Sequence, residues 1–193
     1  MAFFKEKTMT TQSPGKKNAV VMGRKTWFSI PEKMRPLCER INIVLSTNQM
    51  NLEGPDFVAD SFEKAMQWLH SPSMKEKVDK IFVIGGEAVY KIAMDSDYHQ
   101  IIYLTRIHND FECDAFFPHM DPEKYSLTEP EGRSDGIQEE NGVKYKHEVY
   151  VKNEKLVIKE YIESLRDTKI HVGGYAEGQK RPFIQTQGLK LEL

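Results

Sequence analysis

The sequence predicts an α/β domain with a mostly parallel sheet, flanking helices and an antiparallel hairpin toward its C-terminal end. Largely apolar runs of strand length occur at 19–22, 41–45, 81–84 and 101–104, and they predict strands near 19–22, 41–45, 81–84 and 101–107. Segments with helical spacing of apolar residues lie between these runs, and strands that alternate with helices form parallel sheets. Beyond the middle of the chain the pattern changes to strict alternation, which predicts an antiparallel strand that ends near Val151.

The first half of the chain begins with a helical segment and continues into a strand–helix–strand unit. Residues 2–9 combine aromatic and charged side chains in a pattern that indicates part of a helix. The run 19–22 predicts a strand that ends at Gly23. A short helix follows until Pro31, because a proline biases the residue before it away from helix. The apolar run 41–45 is the second strand of this unit.

Strands and helices alternate more regularly in the second half. A short strand at 57–58 precedes Ser61, whose hydroxyl can cap a helix with apolar residues at helical spacing over 62–69. The wholly apolar run 81–84 predicts a strand that is buried on both faces. The remaining predicted elements are a helix over 88–92, strands at 101–107 and 124–127, and a hairpin that turns at Asn141-Gly142.

Composition and charge limit the classes of function. The chain has 193 residues, 39% of them hydrophobic, so one domain with a buried core is expected. The net charge of −2 argues against broad electrostatic binding to nucleic acid or membranes, and no apolar run has the length of a membrane span. Cys38 and Cys113 lack metal-ligand spacing, so we expect free thiols and no metal. Residues 1–7 are too charged for a signal peptide, and a cytoplasmic monomer is expected.

The strand–turn–helix segment around Gly23 has residues that suit a phosphate group. Arg24, Lys25 and Thr26 stand at the predicted start of the helix, where backbone N–H groups already favour an anion. Any βαβ crossover also needs a glycine turn and a helix start, whether or not a ligand binds there. From spacing alone, a phosphate site and a purely structural turn therefore both stay open.

Three longer motifs carry a resemblance to a known family. They are Met-Gly-Arg-Lys-Thr-Trp-Phe-Ser-Ile-Pro at 22–31, Phe-Val-Ile-Gly-Gly-Glu-Ala-Val-Tyr at 82–90, and Asp-Phe-Glu-Cys-Asp-Ala-Phe-Phe-Pro at 110–118. In content, order and spacing they closely resemble dihydrofolate reductase of the animal type. The resemblance runs from about Phe3 to about Asn153. It implies a dihydrofolate reductase-like sheet, in agreement with the elements predicted above.

The resemblance implies an oxidoreductase that transfers a hydride from NADPH to dihydrofolate and gives tetrahydrofolate for one-carbon metabolism. At the second glycine turn, bare backbone would let the cofactor approach closely, although a tight strand-to-helix turn is the structural alternative. The implied cofactor-binding residues are Arg24, Lys25, Thr26, Ser46, Thr47, Gly85, Gly86, Glu87, Ala88, Val89 and Tyr90.

On the folate side, the resemblance implies apolar walls, one arginine and a threonine. Arg40 matches the arginine that pairs with the glutamate α-carboxylate, a role that suits a planar guanidinium, and a solvated surface arginine is the alternative. Thr105 matches the threonine that orients the family's catalytic acid, and the Ile84 carbonyl matches an acceptor for the pterin amino group. Antifolate-type ligands are expected at the same place. The other implied substrate-binding residues are Phe4, Ile30, Pro31, Met34 and Leu37.

The chain departs from the family pattern in three places. No match to the family's first strand, mobile loop and acidic residue is found, so we expect an N-terminally truncated member. Thr47 and Asp60 stand where the family often has cations near the 2′-phosphate of NADPH, so we expect a weaker preference for NADPH over NADH. The third departure is the segment 154–193, which has no counterpart in the family.

We therefore expect a family domain over 1–153 and a separate tail over 154–193. Within the tail, helical spacing over 157–165 predicts a short helix, and glycines and a proline over 173–182 predict a loop. Residues 189–193 alternate between leucine and charged side chains. This strand pattern could cover the gap that a missing first strand would leave in the sheet.

Three interpretations of function stay open at this stage. The chain is an enzyme, a non-catalytic module that binds nucleotide and folate, or an unstable fragment. Because no positioned acid is found, we expect the chain to reduce dihydrofolate at least about a hundredfold more slowly than a complete family member.

Overall fold

A computed structural model of the protein describes residues 2–48, 52–128, 136–153 and 190–192. Within these ranges the strands form one sheet, and the predicted α/β class is confirmed. The strands in chain order are β1 (Lys17–Gly23), β2 (Arg40–Leu45), β3 (Phe57–Ala59), β4 (Val78–Val83), β5 (His99–Ile107), β6 (Tyr125–Thr128), β7 (Gln138–Glu140), β8 (Val143–Lys152) and β9 (Lys190–Glu192). Their order across the sheet is β3-β2-β1-β4-β9-β5-β8-β6, and β7 pairs with β8.

The parallel half of the sheet is centred on β1. This strand pairs in parallel with β2 on one side and with β4 on the other. Its run from Asn18 to Met22 is buried, as expected for a strand covered on both faces. Gly23 lies opposite Leu45, and Val21 lies opposite Val83. The three strands therefore reach the same edge of the sheet at their carboxyl ends.

The antiparallel half is built on β8, which pairs with β5, β6 and β7. The β7–β8 hairpin turns at Asn141 and Gly142, with φ angles of 54° and 79°. Two positive φ angles suit a tight hairpin turn, which explains the Asn-Gly pair. The predicted hairpin is confirmed.

The described helices lie between the strands in the predicted order. They are α1 (Ala2–Met9), α2 (Arg24–Ser29), α3 (Phe62–Leu69), α4 (Pro72–Lys75) and α5 (Glu87–Asp95), with a short 3-10 turn at Glu32–Met34. The Ser61 hydroxyl accepts the N–H of Lys64 at 3.2 Å, which confirms the predicted cap. The short helix α4 was not predicted from the sequence.

Two hydrophobic clusters cover the two faces of the sheet. Side chains alternate in direction along a strand, so successive residues of β1 enter different clusters. The larger cluster joins strand residues such as Val21, Ile43 and Ile81 to the apolar faces of α3 and α5. The smaller cluster contains Val20, Met22, Trp27, Val44 and Phe82. None of the described helices has the length and apolar character needed to cross a membrane.

The strand β9 lies between β4 and β5 and is parallel to both. Its position agrees with the strand pattern predicted for 189–193. The helix predicted over 157–165 and the loop predicted over 173–182 lie outside the described residues.

The imidazole of His70, just after α3, is buried at its Nε2 atom and has no hydrogen-bond partner there among the residues that the structure describes. Burial lowers the pKa of His70 from its ordinary value, because the imidazolium would lose hydration. In the unfolded chain the pKa is about 6.5. Below that pH the unfolded chain binds a proton that the folded chain resists. The stability that the neutral His70 contributes is therefore lost as the pH falls from about 6.5 toward the lower pKa of the folded state.

We expect His70→Gln to reduce this acid-dependent loss of stability, because the glutamine side chain does not titrate. The measurement is the urea midpoint at pH values of about 7.5 and about 5.5. His108→Gln, at an exposed histidine, is the control and should keep the wild-type difference between the two pH values. An unchanged difference in the His70 variant would contradict the burial of a neutral imidazole.

Candidate active site

Two glycine turns meet at the carboxyl edge of the parallel strands. Gly23 ends β1 and precedes α2, and Gly85-Gly86 follows β4 and precedes α5. The Gly23 N–H donates to the Gly85 carbonyl at 2.8 Å, and the Ile84 N–H donates to the Val21 carbonyl at 2.9 Å. These bonds extend the β1–β4 ladder into the turns. As a result, α2 and α5 begin side by side.

The turns leave bare backbone at this edge, and a side chain would be crowded at Gly23 but not at Gly86. A methyl group on Gly23 would lie 3.3 Å from Cγ2 of Val89, and one on Gly86 would lie 3.5 Å from Oγ1 of Thr26. Gly86 is exposed, and the peptide bond between Gly85 and Gly86 is cis. We call this surface of Gly23, Gly85, Gly86 and Thr26 the glycine cradle. Backbone of this kind can approach a phosphate group closely.

Cationic side chains stand next to the glycine cradle. Arg24 and Lys25 form the first turn of α2 with Thr26, and that turn contains no acidic residue. Lys25 is exposed, and Arg24 is half-buried. Positive charge at this position favours an anionic ligand. The structure therefore brings together the first three predicted cofactor residues and the second glycine turn.

Ser46 and Thr47 stand at the same edge, just beyond β2. The Ser46 N–H donates to the Ala59 carbonyl at 2.8 Å, and its hydroxyl donates to a backbone carbonyl in the following turn. Asp60 directly follows Ala59 in the chain, and its carboxylate accepts a hydrogen bond from Lys64 at 2.5 Å. A cation therefore accompanies the acidic residue here, and the sequence analysis did not foresee this pair.

The first residues of α5 differ in their exposure and in their contacts. Glu87 accepts the N–H of Phe116 at 3.4 Å, Ala88 is exposed and Val89 is buried. Tyr90 lies over Gly85, since a methyl group on that glycine would come within 3.1 Å of the tyrosine ring. Burial raises the pKa of the Tyr90 hydroxyl, so it stays protonated at neutral pH.

A cavity of about 120 Å³ lies beside the second glycine turn. Its volume is slightly below that of an apolar cavity of about 150 Å³ that binds benzene, so its size is close to that of a single ring. Four predicted site residues meet in its lining: Phe4, Ile84, Tyr90 and Thr105. The other lining residues are Phe3, Lys7, Thr8, Phe82, Val83 and Tyr103.

A buried hydrogen-bond network holds α1 against the sheet on one side of the cavity. The Asn18 side chain donates to the carbonyls of Thr8 at 3.1 Å and Thr10 at 2.9 Å, and accepts the N–H of Lys80 at 3.2 Å. Asn18 is fully buried, and Thr8 is only 2% exposed. Because buried polar groups are costly when unpaired, this network fixes the position of α1.

Arg40, the predicted carboxylate-binding residue, joins the same network. It donates from Nη1 to Thr8 Oγ1 at 2.8 Å and from Nε to the Cys38 carbonyl at 3.0 Å. Burial lowers the pKa of the Arg40 guanidinium, against an opposing effect of Cys38. Arg40 is 8% exposed, which rules out a solvated surface arginine. No carboxylate of the described residues pairs with it, so a buried cation stands next to the cavity.

Thr105 is paired with a histidine that the sequence analysis missed. Thr105 Oγ1 and His147 Nδ1 are 3.0 Å apart, at opposite positions of β5 and β8. The His147 ring stacks on Phe3 with ring centroids 4.1 Å apart, and Phe3 meets Tyr103 edge-on at 6.4 Å. These contacts join the cavity wall on α1 to the wall on β5.

The predicted apolar walls do not line this cavity. Ile30 and Leu37 pack against the smaller hydrophobic cluster, whereas Pro31 and Met34 are exposed. Phe82 belongs both to that cluster and to the cavity lining, so the two surfaces adjoin.

Sequence reasoning missed several lining residues although their spacing is informative. The cavity residues of α1 form two pairs spaced by four positions, which share a helix face: Phe3 with Lys7, and Phe4 with Thr8. Tyr103 stands two positions before Thr105 and so points to the same side of β5. The place of His147 depends on the register of β5 with β8, for which the sequence carries no local signal.

The fold and the site define an α/β protein with a ligand crevice at the carboxyl edge of its parallel strands. The family model described as "Dihydrofolate reductase" matches residues 1–152. The chain therefore belongs to the dihydrofolate reductase family, and the resemblance noted in its motifs is confirmed.

Individual relatives agree with this assignment. The dihydrofolate reductase of Sus scrofa is 49% identical over 153 residues, which cover 78% of this chain and 82% of the relative. That of Aedes albopictus is 39% identical over 154 residues, which cover 79% and 83%. The solved structure of Schistosoma mansoni dihydrofolate reductase is similar at a TM-score of 0.72 and 39% identity, over 79% of this chain and 84% of the other.

Gly85→Ala is expected to destabilise the fold and to displace Tyr90 from the cavity wall. Gly85 has a φ of +103°, and an added methyl group would lie 3.1–3.2 Å from the Tyr90 ring. Gly142 also has a positive φ, +79°, but a methyl group there would meet nothing within 4 Å. Gly142→Ala is therefore a control for backbone strain without the steric contact.

Urea denaturation of both variants measures the difference. Gly85→Ala should lose about 1–2 kcal/mol more stability than Gly142→Ala, because the tyrosine ring must shift. Equal losses in the two variants would contradict the close approach of Tyr90 to the glycine turn.

Proposed function

We propose that this protein reduces dihydrofolate to tetrahydrofolate with NADPH as the hydride donor. Two residues that belong both to the cavity wall and to the second glycine turn carry the proposal. Ile84 directly precedes Gly85, and the Tyr90 ring lies over that glycine. A ring in the cavity and a dinucleotide on the glycine cradle would be neighbours. Hydride transfer needs this arrangement, because the reacting atoms must come within about 3–3.5 Å.

The glycine cradle suits a dinucleotide. The exposed backbone of Gly86 and the Thr26 hydroxyl provide a close-contact surface for a diphosphate, with Lys25 as a neighbouring cation. Arg24 is then the cation for the 2′-phosphate of NADPH. Ser46 and Thr47, at the end of the next strand, suit the adenosine phosphate, and residues 87–90 lie along the nicotinamide half. NADPH supplies the hydride when it is bound.

The cavity and its surroundings suit the folate substrate. Phe3 and Phe4 offer aromatic surface on α1, and Phe82 closes the wall on β4. The buried guanidinium of Arg40 lies beside Thr8, where it can pair with the glutamate α-carboxylate. The Ile84 carbonyl is an acceptor for the pterin amino group. Ile30, Pro31, Met34 and Leu37 would extend this surface along the loop between α2 and β2.

The polar side chains of the cavity orient the ring and its proton. Reduction adds the hydride to one ring carbon and a proton from solvent to the adjacent nitrogen, since no carboxyl group of the described residues lines the cavity. Thr105 is a positioning residue, since it lines the cavity and its hydroxyl is hydrogen-bonded to His147. The protonated hydroxyl of Tyr90 supplies a second donor in the same wall.

Consumption of NADPH by the purified chain tests the proposal. NADPH should be consumed only when dihydrofolate is present, with one tetrahydrofolate formed for each NADPH. An outcome in which both ligands bind but no tetrahydrofolate forms would replace the enzyme with a binding module, and binding of neither ligand would refute the site.

Arg40→Lys is expected to weaken dihydrofolate binding about tenfold or more, because an ammonium cannot make the two parallel contacts of a guanidinium. Dihydropteroate lacks the glutamate, so its affinity should change little. Fluorescence titration of both ligands gives the comparison. Arg35→Lys is the matched control, since that guanidinium stacks over Trp27 and Phe28. An equal loss for dihydropteroate would show that Arg40 acts only through the fold.

Arg24→Gln is expected to lower the affinity for NADPH about tenfold or more and to leave that for NADH nearly unchanged. Only NADPH carries the 2′-phosphate, and a charge-assisted contact contributes roughly 1.5–3 kcal/mol. Thr47 and Asp60 stand where the family often has cations near the 2′-phosphate, so the wild-type preference for NADPH over NADH should itself be modest. Titration with both cofactors measures this, with Lys16→Gln, just before β1, as a control. An equal loss for NADH would contradict the role of Arg24.

A further inference from the structure

The slot between β4 and β5 is filled by β9, from the far end of the chain. Leu191 lies opposite Ile81 of β4 and opposite Gln100 of β5, and all three strands are parallel. On their other edges, β4 pairs with β1 and β5 pairs with β8. In the described part of the chain, β9 is therefore the connection between β3-β2-β1-β4 and the strands of the antiparallel half.

Both edges that face the slot belong to the interior. Ile81 is 3% exposed, Ile102 is 1% exposed and Gln100 is fully buried. The N–H and C=O groups of such edges need a partner strand, because water does not reach them easily. Neighbouring strands lie about 4.8 Å apart, so a slot of about 10 Å accepts one strand.

The glycine cradle lies on one side of the slot, whereas the cavity extends across both sides. The glycine cradle is formed by β1, β4, α2 and α5, which all lie on one side of β9. The cavity has walls on both sides, from Phe82 and Val83 on β4 and from Tyr103 and Thr105 on β5. The distance between the cavity walls therefore depends on β9, which lies between them. The arrangement of the glycine cradle does not depend on β9.

We propose that residues 190–192 act as an internal strand donor that holds the two walls of the substrate cavity at their working distance. The C-terminal segment is then a positioning element for dihydrofolate and not for NADPH. The identity of the two ligands rests on the proposed function, but the insertion of the strand does not.

Hydrogen exchange on the full chain tests the insertion without any substitution. Successive N–H groups of a strand point to opposite edges, so an open slot would leave every second amide of 81–83 and 100–102 in fast exchange. With β9 inserted, consecutive amides in both stretches should exchange slowly. Alternating fast amides would overturn the insertion. Sedimentation should show a monomer, and a dimer with protected amides would assign the strand to a second copy and overturn the internal donor.

The effect on the cavity is tested by Leu191→Pro in the full chain. Proline removes a backbone N–H and is not tolerated in a central strand, whereas Leu191→Ala keeps the N–H and is the matched control. Leu191→Pro should weaken dihydrofolate binding about tenfold or more and change NADPH binding less than about threefold. Leu191→Ala should bind both ligands nearly as the wild type does.

The possible results separate this inference from the proposed function. Unchanged dihydrofolate binding in Leu191→Pro, or equal loss of both ligands, would overturn the strand-donor role. If the wild-type chain binds neither ligand, the proposed function fails, and the exchange pattern of 81–83 and 100–102 still decides whether the strand is inserted.

Discussion

Backbone hydrogen bonds between β1 and its parallel neighbours β2 and β4 set the positions of the residues that form the glycine cradle. The register places Gly23 opposite Leu45 and Val21 opposite Val83, so the strands end together. A slip of one residue would turn every side chain of a strand to the other face and mix the two hydrophobic clusters. The buried Asn18 of β1 would lose its bonds to Thr8, Thr10 and Lys80 in a slipped register, so it helps to fix the register, and the register brings the glycine turns together.

The substrate side depends on polar groups inside the fold. Asn18, Thr8 and Arg40 hold α1 over the sheet through hydrogen bonds of 2.8–3.1 Å. A typical hydrogen bond contributes only about 1 kcal/mol, but an unpaired buried partner costs about 1–3 kcal/mol. The main effect of the network is therefore to specify one position for α1. Its net contribution to the free energy of unfolding is small. It also leaves a guanidinium charge beside the cavity, which suits the carboxylate end of folate.

Most of the fold could be predicted from local patterns. The apolar runs at 19–22, 41–45 and 81–84 fall inside β1, β2 and β4 apart from Ile84, because a strand buried on both faces requires such a run. The cavity was harder to predict, since its lining comes from four separate segments. Thr8 and Tyr103 were not predicted, although the spacing on α1 and β5 carries a signal for both. His147 could not be found in this way, because strand register arises from contacts that are distant in the sequence.

The central claim is that one crevice at the carboxyl edge of the sheet holds both ligands side by side. NMR chemical-shift mapping of the full chain tests it most directly. NADPH should perturb the amides of 23–26 and 85–90, and dihydrofolate those of 3–8 and 103–105, with Ile84 and Tyr90 responding to both. Perturbations confined to another surface, such as that around Trp27, Phe28 and Arg35, would contradict the account.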